Sequence, residues 1–305
     1  MKRFVFSILS LCLALQFLNA QVTDKEEKLR AQSADSVEGW KKGGAIFLNF
    51  SQTSLTNWAA GGVASYSING LANFFGSYKK GKSYWDNTLD IGYGFLKQKD
   101  MDFQKTDDKL DFFSKYGRQA IKSWYYSALI NFRTQFSNGY NYPDDSVISA
   151  FLSPAYLLGA VGLDYKPSDA FTAFIAPVTA KITIVNNQVL ADAGAFGVDP
   201  GKNVRGEFGG YVRVVFKKTL VENINFTTKA DFFSNYLHNP QNIDVNWEVL
   251  LAMKITKFIA ATFSTQLLYD DDIAILEKLD NGTTHPVKSM VQFKEILGIG
   301  ITAKF

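Results

Sequence analysis

Apolar and polar residues alternate with a period of two along most of the chain. In the segment IDVNWEVLLAMKI, seven apolar side chains from Ile243 to Ile255 share one parity. The other parity contains Asp244, Glu248 and Lys254. Successive side chains of a β-strand point to opposite faces of the sheet, so this pattern predicts strands with one apolar and one polar face.

About twelve such runs follow one another after residue 42, and turn-forming residues separate them. They lie near residues 43–54, 63–78, 83–97, 108–118, 123–137, 156–165, 170–185, 203–217, 223–237, 242–255, 258–270 and 288–305. Many are longer than the roughly six residues of a typical soluble strand. They fit a tilted strand that crosses a membrane, which needs about nine to eleven residues.

The connections between these runs alternate between short and long. Short connections include residues 79–82 and 166–169. Long connections include residues 137–153, 185–203 and 270–288. Outer-membrane barrels have this layout, with short periplasmic turns and longer extracellular loops. An even number of strands also places both ends of the barrel on the periplasmic side.

Aromatic residues of the apolar parity gather at the ends of the runs next to the short turns. They are Tyr78, Trp85, Tyr116, Trp124, Tyr165 and Phe216. Such rings are enriched where lipid meets water, because they combine an apolar body with a mostly polar edge. The sequence therefore predicts an all-β fold, a transmembrane antiparallel β-barrel of about twelve strands. A soluble barrel with its apolar face inward is the alternative, since period two does not identify the face that meets lipid.

Proline at position 177 interrupts the parity of one predicted strand. Phe171 and Ile175 share a parity before the proline, and Val178 and Ile182 hold the opposite parity after it. One extra residue at Pro177 would restore the register, which predicts a β-bulge there. The alternative is that the strand ends at the proline.

The first twenty residues have the features of a signal peptide. Lys2 and Arg3 precede an apolar core, and a plausible cleavage site follows near Ala20. The sequence thus predicts three regions: a signal peptide at 1–20, a flexible periplasmic tail at 21–42 and the outer-membrane barrel at 43–305.

Composition excludes several classes of protein. The single cysteine, Cys12, lies within the predicted signal peptide, so no disulfide is expected in the mature chain. A formal net charge of +3 over 305 residues argues against a nucleic-acid partner. After the signal peptide no run of 18 apolar residues occurs, which excludes a helical membrane protein.

Several segments together carry a resemblance to a known family. They are SQTSLTNWAAGG, SYWDNTLDIGYGF, SAFLSPAYLLGAVGLDYKP, FIAPVTAKITIV and VQFKEILGIGITAKF. The chain from about Trp40 to Phe305 resembles a Gram-negative, Bacteroidota-type family of outer-membrane β-barrels catalogued as a domain of unknown function. The resemblance implies an outer-membrane location and a barrel, and it brings no catalytic residue, cofactor or ligand. The terminal Phe305 is similar to the signal by which barrel-insertion machinery recognises its substrates.

Charged residues on the polar parity are the candidates for function, because they would line the lumen. They are Asp86, Asp90, Arg133, Lys181, Glu207, Arg213, Lys229, Asp231, Asp244, Glu248, Lys254 and Lys294. Six are acidic and six are basic. A pore that selects by charge favours one sign along its wall, whereas mixed signs favour a network of ion pairs.

Outside the lumen, three further kinds of candidate stand out. Asn57 and Trp58, in the predicted first loop, are candidates for ligand contact at the barrel mouth, although a turn with an interface anchor explains them as well. The histidines, His238 and His285, fall in predicted loops, so a lipid hydrolase remains only a minor alternative. Asp272 at the end of an aspartate run predicts a short helix through IAILEKL, and this run lacks the regular spacing of a calcium loop.

These observations favour a narrow passive channel or uptake barrel for small polar solutes, with no enzyme activity and no cofactor. The expected partners are outer-membrane lipid and the insertion machinery, with no nucleic acid. The alternative is a plugged barrel that acts through its loops or its tail in an assembly with other outer-membrane proteins.

Overall fold

The structure, a computed structural model, describes residues 38–55, 63–141, 146–273, 275–278, 284–287 and 290–304. Its strands are β1 (Gly39–Thr53), β2 (Ser65–Lys80), β3 (Ser83–Gln98), β4 (Gln104–Ile121), β5 (Trp124–Thr134), β6 (Gly139–Asn141), β7 (Ser146–Ser149), β8 (Ala155–Ser168), β9 (Phe171–Ile184), β10 (Val204–Val221), β11 (Ile224–Asn235), β12 (Ile243–Lys254), β13 (Ile259–Tyr269), β14 (Ile275–Lys278), β15 (Thr284–Val287) and β16 (Gln292–Lys304). The signal peptide, most of the predicted tail, Asn57, Trp58 and Phe305 lie outside the described residues.

Twelve of these strands form one closed antiparallel barrel, which confirms the predicted fold class. Each barrel strand pairs with its neighbours along the chain, and β1 pairs with β16 to close the ring. The four short strands form two hairpins, β6–β7 and β14–β15, within long connections. All twelve predicted runs correspond to barrel strands. β1 begins four residues earlier than predicted, because pairing of Gly39 with Lys79 extends its ladder to the end of β2.

The connections alternate in length as the sequence predicts. Two-residue turns join β2 to β3, β4 to β5, β8 to β9 and β10 to β11. The end of the barrel that carries these turns is called the short-turn end, and the opposite end is called the loop end. Both described ends of the barrel lie at the short-turn end, where β1 starts and β16 finishes.

The predicted β-bulge at Pro177 is confirmed, and β9 continues through the proline. On β10, Gly209 pairs with Thr179 and Tyr211 with Ala176, so one residue of β10 faces two of β9. The pairing with β8 shifts in the same place. Ile175 and Val178 consequently both face outward, because the extra residue restores the alternation of faces.

The outer surface of the barrel is apolar, and its interior is charged. Val161 is 60% exposed and Ile130 is 53% exposed, whereas Asp164 and Glu207 are buried. The predicted aromatic row lies on the outside at the short-turn end, where the rings of Trp124 and Tyr165 are in tilted contact with 4.7 Å between their centroids. An apolar exterior around a charged interior is the arrangement of an outer-membrane barrel and excludes the soluble alternative.

The long connections at the loop end carry their own small structures. A short helix, α1 (Gln188–Asp192), begins after Asn187, whose side chain accepts a hydrogen bond from the Leu190 amide at 3.2 Å. Leu190 packs in a small apolar cluster with Val185 and Val198. The helix predicted through IAILEKL is wrong, because β14 pairs there with β15 in a hairpin. Among the described residues, no helix has both the length and the apolar composition to cross a membrane.

Candidate functional site

The interior of the barrel carries most of the charged side chains that the sequence analysis singled out. Eleven of the twelve predicted lumen residues form ion pairs, many of them with strands that are not neighbours. The twelfth, Lys254, lies at the short-turn end of β12 and forms no ion pair within the described part of the chain. The charged side chains form three groups along the barrel axis: one near the short-turn end, one in the middle and one at the loop end.

Eight charged residues form a chain of ion pairs in the middle of the barrel, which we call the central network. Acid and base alternate along it in the order Asp90, Lys229, Glu248, Lys109, Asp111, Arg133, Asp231 and Arg213. The seven pairs have nitrogen–oxygen distances from 2.9 to 3.8 Å. Four acids and four bases neutralise one another at this level.

The central network joins opposite walls of the barrel. Lys109 on β4 lies 3.4 Å from Glu248 on β12, and Lys229 on β11 lies 3.6 Å from Asp90 on β3. Each pair of strands is six positions apart around the ring of twelve. Twelve strands about 4.8 Å apart and tilted by about 40° would form a circle about 24 Å wide. Extended lysine and glutamate side chains with a hydrogen bond reach only about 15 Å, so the barrel is flattened here.

Neutral side chains add hydrogen bonds to the central network. Tyr211 donates to Asp231 at 2.6 Å, and Asn131 donates to Asp111 at 2.6 Å. Arg213 lies over the ring of Phe113, 4.5 Å from its centroid. Charges removed from bulk water cost free energy unless they are paired and hydrogen-bonded. Every charge of this network is paired, whereas the buried Nε of Arg133, 3.3 Å from Asp111, makes no hydrogen bond within the described residues.

Between the central network and the short-turn end lies a cavity of about 580 Å³, which we call the vestibule. Lys82 and Asp169, from two of the short turns, lie at its rim, and Asp90, Arg213 and Lys229 of the central network lie at its floor. Eight lysine and arginine residues line it, against three aspartates. The vestibule is therefore open toward the short-turn end and basic.

A compact cluster of polar side chains forms one wall of the vestibule. Asp164 is fully buried and accepts hydrogen bonds from Tyr84 at 2.6 Å and from Lys115 at 2.8 Å. Lys166 pairs with Asp86 at 3.0 Å and lies 3.5 Å from the centroid of the Tyr84 ring. These contacts hold two ammonium groups beside an aromatic ring, and Asp164 and Asp86 balance their charge.

At the loop end, six residues form a second charged group, which we call the mouth cluster. They are Lys181, Arg205, Glu207, Asp244, Asp270 and Asp272. Lys181 lies within 3.5 Å of three carboxylates, and Arg205 bridges Glu207 and Asp272. With four acids and two bases, this cluster has an excess of negative charge.

Six of these charged residues were not predicted from the sequence. They are Lys109, Asp111, Lys115, Asp164, Lys166 and Arg205. Tyr116 and Tyr165 were assigned to the outer face, so the same alternation places Lys115, Asp164 and Lys166 inside. The signal was present in the parity of β4 and β8.

The remaining candidates do not form a catalytic or metal site in the described structure. His238 is exposed in the connection after β11, and its ring nitrogen lies 3.2 Å from the side-chain amide of Asn239. Among the described residues, no group of three or more acidic, histidine or cysteine side chains is placed to hold a metal ion. The side chain of His285 lies outside the described part.

Comparisons with solved structures find similar folds at low sequence identity. The outer membrane channel of Pseudomonas putida F1 is 8% identical with a TM-score of 0.42, over 89% of this chain and 97% of that chain. The translocator domain of the autotransporter NalP from Neisseria meningitidis is 10% identical with a TM-score of 0.37, over 93% and 96%. The NanC porin is 10% identical with a TM-score of 0.38, over 85% and 98%.

Comparison of the sequence with family models gives a match to part of the chain. No curated protein matches the chain. Residues 50–140 match the model of the family described as "Protein of unknown function (DUF3078)", which confirms the resemblance to a family of unknown function over that part of the chain.

Proposed function

We propose that this protein is a narrow outer-membrane channel for small polar or ionic solutes, and that the central network sets its size limit. One observation carries the proposal: charged side chains cross the lumen from wall to wall at the central network, beside an apolar cluster of inward-facing residues on β5 and β8–β11. The side chains of Lys109, Glu248, Lys229 and Asp90 are each between 21% and 29% exposed. Water therefore reaches the network that separates the two ends of the lumen.

Ion pairs of this kind limit passage without sealing the barrel permanently. A partly hydrated lysine–carboxylate pair contributes only about 1 kcal/mol, because water and passing ions compete for both partners. The flattened cross-section admits only small solutes beside these side chains. An exported location, insertion into the outer membrane and contact with its lipid belong to the same proposal, and the apolar exterior supports them.

Planar-bilayer conductance of the refolded protein tests the proposal. The wild type is expected to show small discrete steps. The variant K109A/E248A removes one of the ion pairs that join opposite walls and keeps the net charge. It is expected to enlarge the conductance steps severalfold. The matched control K122A/E222A removes one exposed charge of each sign at two short turns and leaves the steps unchanged. Absence of steps in the wild type and in both variants contradicts the channel.

A second candidate function follows from the two ion pairs that join opposite walls. If the central network closes the lumen completely, the barrel is plugged and acts through its loops or its tail in an assembly. A silent wild type together with a conducting K109A/E248A variant supports this candidate. Purification in mild detergent with a partner protein in fixed stoichiometry would support it independently.

A further inference from the structure

The charges of the lumen are segregated along the barrel axis. The central network is neutral, with four acids and four bases, and the mouth cluster has four acids and two bases. Eight bases and three acids line the vestibule, and Asp90, Lys229 and Arg213 among them also belong to the central network. The remaining six bases and two acids leave an excess of bases at the short-turn end.

Four of the eight vestibule bases are paired with acids. These pairs are Lys166 with Asp86, Lys229 with Asp90, Lys115 with Asp164 and Arg213 with Asp231. Lys79 and Lys82 also line the vestibule, and within the described residues neither forms an ion pair. Their ammonium groups are therefore not in direct contact with an acid, although the Glu38 carboxylate lies at the same turn and accepts a hydrogen bond from the Gly81 amide at 2.7 Å. A recess with walls of low dielectric constant focuses such a field and raises the local concentration of anions.

Apolar side chains alternate with these charges on the vestibule wall. Phe75, Phe113, Tyr125 and Leu250 line the cavity and are partly exposed. Its volume of about 580 Å³ lies within the range of about 300–1,000 Å³ found for small-molecule sites. Such sites combine a mainly apolar lining with a few charged groups that orient the ligand, and the vestibule has both.

We infer that the vestibule binds small organic anions, namely carboxylates or phosphates that carry an apolar or aromatic portion. This inference rests on the proposed channel function and names the substrate class of the channel. The anionic group faces Lys79, Lys82 and Lys166, and the apolar portion contacts Phe75 and Tyr125. The bound anion then lies next to the central network, which forms the floor of the vestibule.

Conductance in a potassium chloride gradient provides the first test. The wild type is expected to show a reversal potential that favours chloride over potassium. Phenyl phosphate added at the short-turn side is expected to reduce the current at lower concentration than inorganic phosphate, and benzylammonium is expected to have no effect. A preference for potassium, or equal block by phenyl phosphate and benzylammonium, overturns the inference while the channel itself stands.

Charge-removal variants locate the effect within the vestibule. K79Q/K82Q removes two lining charges and is expected to weaken the block by phenyl phosphate about tenfold. K80Q removes a charge from the same strand end, but Lys80 is exposed and does not line the cavity. Phenyl phosphate is therefore expected to block the K80Q variant and the wild type at the same concentration. Equal block in all three proteins contradicts a vestibule site.

Titration calorimetry of the folded barrel in detergent separates this inference from the channel proposal. If no conductance is found, binding of phenyl phosphate that K79Q/K82Q weakens and K80Q retains still supports the vestibule site. Lack of any binding to the folded wild type overturns the inference.

Discussion

Gly162 on β8 faces the backbone of Ile175 on β9 so closely that a Cβ atom would lie 2.0 Å from the Ile175 carbonyl oxygen. The same Cβ would lie 2.6 Å from Cα of Ala176, next to the bulge at Pro177. Only glycine allows this approach, since a backbone carbonyl cannot rotate aside as a side chain does. The bulge and the glycine opposite it therefore form one structural unit.

Substitution G162A is expected to lower the free energy of unfolding by about 2–4 kcal/mol, because the bulge must shift to admit the methyl group. The control G159A lies on the same strand and has no atom within 4 Å of its added Cβ. Its stability is expected to stay within about 0.5 kcal/mol of the wild type or to rise slightly. Urea titration of the barrel in lipid vesicles measures both, and equal stability of the two variants contradicts the expectation.

Neutralisation of Glu248 tests the energetic role of the central network. Its carboxylate pairs with Lys109 at 3.4 Å and with Lys229 at 3.7 Å. E248Q therefore removes one carboxylate partner from each of these two ammonium groups. We expect a loss of about 1–3 kcal/mol, less than for a dry buried pair because water reaches these side chains. E222Q changes an exposed turn and serves as the control in the same urea titration. A loss no larger than that of E222Q would show that the network contributes nothing to stability.

A charge placed on the outer surface tests which face of the barrel meets lipid. Ile130 lies six residues from Trp124 on β5, which places it about 15 Å into the bilayer for a strand tilted by about 40°. I130R is expected to lower the free energy of unfolding by about 2–4 kcal/mol. I121R, next to a short turn, is expected to lower it by about 1 kcal/mol or less. Folding yields and urea midpoints in vesicles measure the difference. Equal costs would argue that the outer surface does not contact hydrocarbon.

Lys181 is expected to stabilise the mouth cluster in a salt-dependent manner. K181Q leaves Glu207, Asp244 and Asp270 without the cation that they share, and their mutual repulsion lowers the free energy of unfolding at low ionic strength by about 2–4 kcal/mol. The loss becomes smaller at high salt, because ions screen the repulsion between the carboxylates. Thermal unfolding at low and at high salt measures the loss, with the exposed Lys202 changed to glutamine as the control. A loss that is independent of salt contradicts the electrostatic origin.

Local sequence patterns determined the architecture of the barrel. Alternation in segments such as Ile243–Ile255 depends only on residues two positions apart, so it is readable without knowledge of the fold. The parity change across Pro177 located the bulge for the same reason. In contrast, the IAILEKL segment pairs with residues 284–287, and this nonlocal pairing overrode its helical signal.

The tertiary structure alone decided which charges meet and where they gather. Lys109 and Glu248 are 139 positions apart in the sequence, and they meet because closure of the ring brings β4 and β12 to the same level of a flattened lumen. Parity assigns a side chain to the inside, but it gives neither its height along the axis nor its partner. The basic vestibule and the acidic mouth cluster therefore emerge only from the closed barrel, where strand tilt and register fix the height of every side chain.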